Sequence, residues 1–118
     1  MKMKIYHNPR CTKSRNALKL IQEKGLEIEI VEYLKKPLNA NELKSITNII
    51  GLTPEQIVRK NEEVYKNEFK GKSLTNEQWI DALISNPKLI QRPIITTQKK
   101  GIIGRDENEL SKFLNQLK

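Results

Sequence analysis

The spacing of apolar residues changes several times along this chain, and each change marks an element. Met3-Lys4-Ile5-Tyr6 reads as a short strand, which Pro9 helps to end because proline has no N–H for a ladder. Ala17, Leu18, Leu20 and Ile21 then recur at helical spacing, so a helix starts near Ser14 or slightly earlier and closes at Gly25. Glu27-Ile28-Glu29-Ile30-Val31-Glu32-Tyr33 alternates as a strand does, and Pro37 stops it. A β-α-β opening calls for two parallel strands with the helix packed across them.

The middle of the chain is helical. Asn39 or Asn41 caps a helix with Leu43, Ile46, Ile49 and Ile50 on its buried stripe, ended by Gly51. Thr53-Pro54-Glu55 starts another, running to about Lys60. Residues 61–74 are polar and predict turns with a short helix. Thr75-Asn76-Glu77-Gln78 opens a helix whose apolar face is Trp79, Ile80, Leu83 and Ile84, closed by Asn86-Pro87. The last third changes character. Ile94-Ile95-Thr96-Thr97 and Gly101-Ile102-Ile103-Gly104 form a hairpin around Gln98-Lys99-Lys100, and Asp106 caps a final helix carrying Leu110, Phe113, Leu114 and Leu117. The predicted order is β-α-β, a helical stretch over residues 38–90, then β-β-α.

The chain has 118 residues, which suits one domain (1–118) with a single core. No apolar run approaches the roughly 18 residues that span a bilayer, and the N-terminus lacks the apolar segment of a signal peptide. One cysteine forms no internal disulfide, which fits a reducing cytoplasm. No Cys/His cluster suggests a metal, and His7 is the one histidine. The formal charge is +8, concentrated at the start: Lys2, Lys4, Arg10, Lys13, Arg15 and Lys19 precede any acidic residue. Lys2, Lys4 and Lys19 read as a solvated face, whereas Arg10, Lys13 and Arg15 flank Cys11. With six aromatics spread along the chain and no stacking motif, nucleic acid is not an expected partner.

Cys11 lies at the predicted strand-to-helix junction. Free N–H groups and the positive end of the helix dipole favour an anion there, and a thiolate is such an anion. Ser14, one turn on, can cap the helix or hydrogen-bond the thiolate through its hydroxyl or N–H. Lysine is the default surface cation, with seventeen against five arginines. The arginine fork matches tetrahedral oxyanions and carboxylates, so the sparing use of Arg10, Arg15, Arg59, Arg92 and Arg105 points to places that need that geometry.

The run Ile5-Tyr6-His7-Asn8-Pro9-Arg10-Cys11, followed by Ser14-Arg15-Asn16, resembles the glutaredoxin-coupled arsenate reductase family, a thioredoxin-fold group that includes the Spx-type transcription regulators. The resemblance continues through Leu-Thr-Pro-Glu-Gln-Ile-Val-Arg-Lys-Asn at 52–61, Gln91-Arg92-Pro93-Ile94-Ile95 and Gly104-Arg105. It implies an α/β fold, a thioredoxin-like mixed sheet with a helical insertion at 38–90. It also implies a cytoplasmic oxidoreductase that reduces arsenate to arsenite, with Cys11 as nucleophile and Arg59, Arg92 and Arg105 binding the oxyanion. Ser14, His7, Arg15 and Pro93 are supporting residues, with His7 contacting the active loop or tuning Asn8-Pro9, and the bond before Pro93 cis. Glutathione is the implied external reductant and glutaredoxin the implied partner, with no bound cofactor, metal or membrane. Thr12-Lys13 stands where well-studied members carry small residues. A Spx-like regulator binding RNA polymerase is an alternative, although Ser14 replaces the second thiol of its Cys-x-x-Cys switch. A glutathione-dependent thiol oxidoreductase acting on another substrate is a further one.

Overall fold

A computed structural model describes residues 3–117 of the chain. Its elements are β1 (Lys4–Tyr6), α1 (Thr12–Glu23), β2 (Glu29–Val31), α2 (Ala40–Ile50), α3 (Asn76–Ser85), β3 (Ile94–Thr96), β4 (Gly101–Ile103) and α4 (Glu107–Asn115). The four strands form one sheet in the order β2-β1-β3-β4. β1 runs parallel to β2 and antiparallel to β3, with Ile5 level with Ile30 and Ile95. β3 and β4 are the antiparallel hairpin. This is the thioredoxin-like mixed sheet that the order of elements predicts.

Side chains alternate across each strand, so the sheet divides the apolar interior into two clusters rather than the single expected core. Ile5 and Ile95 face α1 and α4, packing with Ala17, Ile21, Leu110 and Leu114. Tyr6 and Ile94 face the other way, toward Leu43 and Ile46 of α2 and Trp79, Ile80 and Leu83 of α3. Both faces of the sheet are covered.

Helix boundaries follow the capping residues. Asn39 and Glu42 form a reciprocal capping box, with bonds of 2.8 and 3.1 Å. Gly51, at φ 72°, ends α2 in the left-handed conformation that glycine adopts without a Cβ clash. Thr75 and Gln78 repeat the box at α3, and the Asp106 carboxylate caps α4.

Other expectations also need correction. The second strand covers only Glu29–Val31 and ends well before Pro37. It is an edge strand with Ile30 44% exposed, and the chain turns after Glu32, whose carbonyl accepts from Lys35 and Lys36. The helix after Pro54 is a single 3-10 turn, Glu55–Ile57. Val58 is extended and pairs with Ile90, because a strand-like contact with the segment before β3 competes with helix continuation. On α2, Thr47 is buried while Ile49 and Ile50 are only half-buried. Of the three lysines read as a solvated face, Lys19 is exposed and Lys4 half-buried, and Lys2 lies outside the described residues.

Candidate active site

The loop from His7 to Cys11 leaves the end of β1 and enters α1. Asn8 shapes it: its Oδ1 accepts from Arg10 N–H at 3.0 Å and its carbonyl from Cys11 N–H at 3.0 Å. Ser14 is fully buried beneath the loop, where Oγ accepts from Asn8 N–H at 3.1 Å and shares a 2.7 Å hydrogen bond with His7 Nδ1. The serine hydroxyl thus neither caps the helix nor serves the sulfur. It ties the loop to the end of β1. Burial holds the His7 pKa below its ordinary value, which favours the neutral imidazole. Arg15 donates to Pro9 O at 2.9 Å and Thr12 Oγ1 at 3.1 Å, bracing the loop from outside. The threonine between cysteine and serine thereby has a partner.

Cys11 itself is the N-cap of α1, with β-region dihedrals and a half-buried side chain. Its thiol makes no capping hydrogen bond, but the second and third helical N–H groups, of Lys13 and Ser14, lie close enough to favour its thiolate. Burial is the largest single influence on the thiol and raises its pKa. The Ser14 N–H, the Arg92 guanidinium and the Lys13 N–H together outweigh burial, so the pKa lies below its ordinary value.

The three later arginines reach this point from separate segments. Arg59 N–H donates to Leu89 O and Gln91 N–H to Ile57 O at 2.6 and 2.8 Å, so the Val58–Ile90 pairing brings Arg59 alongside Arg92. Arg92 precedes Pro93 across a cis bond and is anchored by Nη1 donating to Lys88 O at 3.0 Å. Arg105, in the turn between β4 and α4, donates from Nη1 to Arg92 O at 3.0 Å. Burial, then the Arg92 charge, hold the Arg59 pKa below its ordinary value; Glu62 opposes them, Arg105 adds to them, and the Cys11 thiolate opposes them. Arg59, Arg92, Arg105 and Cys11 therefore form one electrostatic cluster.

Two donors in the cluster lack a hydrogen-bond partner: Arg92 Nε, and Arg59 Nη1, which faces the Glu62 carboxylate at 3.3 Å as an ion pair. The hydroxyl of Tyr33 is in the same condition on a fully buried ring. Its pKa is pushed up to about 12, by burial first, while the Arg92 charge lowers it and Cys11 raises it. Unpaired buried polar atoms are costly. Arg92 Nε and the Tyr33 hydroxyl beside one thiolate, with Arg59 held only by an ion pair, mark a place suited to a polar guest.

The sequence profile of the ArsC family matches residues 6–113. The chain belongs to the ArsC family. It is 41% identical over 110 residues to the uncharacterized protein YfgD of Escherichia coli K12, covering 92% of each chain. It is 39% identical to an arsenate reductase of Neisseria meningitidis, over 87% of this chain and 90% of that one. Among solved structures, an arsenate reductase from Vibrio cholerae superposes with a TM-score of 0.88 at 33% identity, over 95% and 97% of the two chains.

For this ArsC-family chain, the structure brings together Cys11, Arg59, Arg92, Arg105 and the Pro93 bond, and it places His7, Ser14 and Arg15 in the supporting loop. Sequence reasoning missed Tyr33 and Glu62. Tyr33 looked like the last residue of a strand, and Glu62 like one charge in a polar stretch. The proximity of Glu62 to Arg59, three residues along, was the signal available for the carboxylate. Among the described residues no group of three or more His, Cys, Asp or Glu is placed to hold a metal, and no helix is long and apolar enough to cross a membrane.

Proposed function

We propose that this protein reduces arsenate to arsenite in the cytoplasm, with glutathione as the external thiol and glutaredoxin as the recycling partner. The observation that carries the reading is the Arg92 guanidinium against the Cys11 sulfur, with Arg59 and Arg105 beside it and Arg92 Nε buried without a hydrogen-bond partner. Cys11 thiolate attacks arsenic, forming an S–As bond as a hydroxide leaves with a proton as water. The three arginines neutralise the negative charge of the oxyanion as it is bound and attacked. The Tyr33 hydroxyl, protonated at neutral pH, is a further buried donor. A glutathione thiolate then attacks the Cys11 sulfur, the S–As bond breaks, and its electron pair leaves with arsenic. Arsenic falls from +5 to +3, and the two sulfurs are oxidised to a Cys11–glutathione disulfide. Glutaredoxin reduces that disulfide.

The relatives named arsenate reductase support the substrate. The deciding experiment combines purified protein with arsenate, glutathione, glutaredoxin and an NADPH-linked recycling system. Arsenite formation and NADPH oxidation that need all components are expected. Absence of arsenite alongside a reactive Cys11 would redirect the chemistry to another substrate.

A further inference from the structure

Within the arginine cluster stands one carboxylate that the proposed reaction does not use. Glu62 Oε1 lies 3.3 Å from Arg59 Nη1 and 3.8 Å from Arg92 Nη2. Both arginine side chains are largely enclosed, at 14% and 12% exposed, and Glu62 is more open at 27%. The contact with Arg59 is one of charge rather than hydrogen bonding, since that same Arg59 Nη1 has no hydrogen-bond partner. Glu62 sits on a bend ahead of the short helical turn Tyr65–Phe69, with its N–H donating to Arg59 O at 3.3 Å. A carboxylate held this way can move aside without breaking a directional bond.

We propose that Glu62 is a specificity-determining residue of the anion seat. Its carboxylate is a resident negative charge with which an incoming oxyanion must share Arg59 and Arg92, and it narrows the preference for doubly over singly charged tetrahedral anions. The proposal rests on the reading that these arginines receive an oxyanion. Coulomb energy is linear in the charge of the ligand, so a fixed negative group penalises a dianion twice as much as a monoanion in the same place. In the free protein the same carboxylate offsets the repulsion between two enclosed guanidinium groups, which accounts for its position. A residue serving only to brace the arginines makes the opposite prediction. Its removal would loosen them and weaken every anion alike.

Sulfate and perchlorate separate these outcomes, because they share a tetrahedral shape and differ by one charge. Each is titrated as a protectant of Cys11 against alkylation by iodoacetamide, in the wild type, Glu62→Gln and Glu63→Gln. Glu63 is the adjacent carboxylate and pairs with neither arginine. Neutralising Glu62 is expected to tighten sulfate by about threefold to tenfold. The gain for perchlorate should be about the square root of the sulfate gain, as linear dependence on charge requires. Glu63→Gln should move neither. Unchanged or weaker sulfate protection in Glu62→Gln, or equal gains for both anions, overturns the proposal while leaving the oxyanion seat in place. Failure of sulfate to protect Cys11 in any of the three proteins overturns both the seat and the role of Glu62.

Discussion

A serine hydroxyl in place of the Cys11 thiol stays protonated at neutral pH, so Cys11→Ser should abolish arsenate reduction while leaving a cooperatively folded protein. Turnover by that variant in the coupled assay would remove Cys11 from the chemistry. The same pair of proteins tests the thiolate environment. The Cys11 pKa is lowered in the fold. Its ionised form therefore stabilises the native state above the unfolded thiol's pKa, and that stabilisation is lost as pH falls through the folded pKa. The stability difference between wild type and Cys11→Ser, from urea unfolding, should grow as pH rises across that interval. A difference flat with pH contradicts the lowered pKa. Arg92→Lys keeps the charge and loses the planar fork, so kcat/KM for arsenate should fall by about tenfold to a hundredfold. Equal kcat/KM would leave Arg92 outside the site. For Tyr33→Phe, the hydroxyl meets no acceptor or donor in full hydrogen-bond geometry, although the Arg92 guanidinium is near enough to lower its pKa, and unfolding should shift by less than about 1 kcal/mol. A large loss of stability would mean that the hydroxyl is bonded in the free protein.

The loop and helix around the cysteine are an element with its own lock. Ser14 Oγ is fully buried and holds both Asn8 N–H and His7 Nδ1. Ser14→Ala leaves them unmet, and thermal or urea unfolding should register a loss of about 1–3 kcal/mol; an unchanged midpoint would show that the lock contributes nothing. Caps, the hairpin and the helical stripes apart from the end of α2 were legible in the sequence because they depend on neighbours a few residues away. Asn39, Gly51, Thr75 and Asp106 all stand where such signals put them. The segment after Pro54 was not legible. Local preference favours a helix through Val58, and the pairing that makes Val58 extended comes from Ile90, far along the chain. The arginines were visible as residue types, but their convergence depends on that same pairing and on the Arg105 bond to Arg92 O. Of the roles read for Ser14, its N–H does favour the thiolate, whereas its hydroxyl neither caps the helix nor reaches the sulfur, since its partners His7 and Asn8 are set by the loop's three-dimensional closure.

Across the whole molecule, the sheet carries β1 in its interior and delivers Cys11 from one of its ends, while the arginines arrive from the segments before β3, at its start and after β4. One cysteine serves the chain. Turnover should accordingly require an external thiol and leave a glutathionyl group on Cys11 in acid-quenched reactions, read by intact mass. Repeated turnover without added thiol would contradict the single-sulfur mechanism. The place of Cys11 at the start of α1 has a consequence for that adduct. Groups that favour the thiolate favour sulfur as a departing group as much as an attacking one. They have no comparable hold on a neutral disulfide, so the folded chain biases thiol exchange toward the reduced protein. By linkage the bias runs both ways, and a glutathionyl group on Cys11 must lower the stability of the fold that disfavours it. Above the folded pKa of the thiol, the glutathionylated protein should melt below the reduced one and lose its adduct to a competing thiol faster than the same chain does when unfolded.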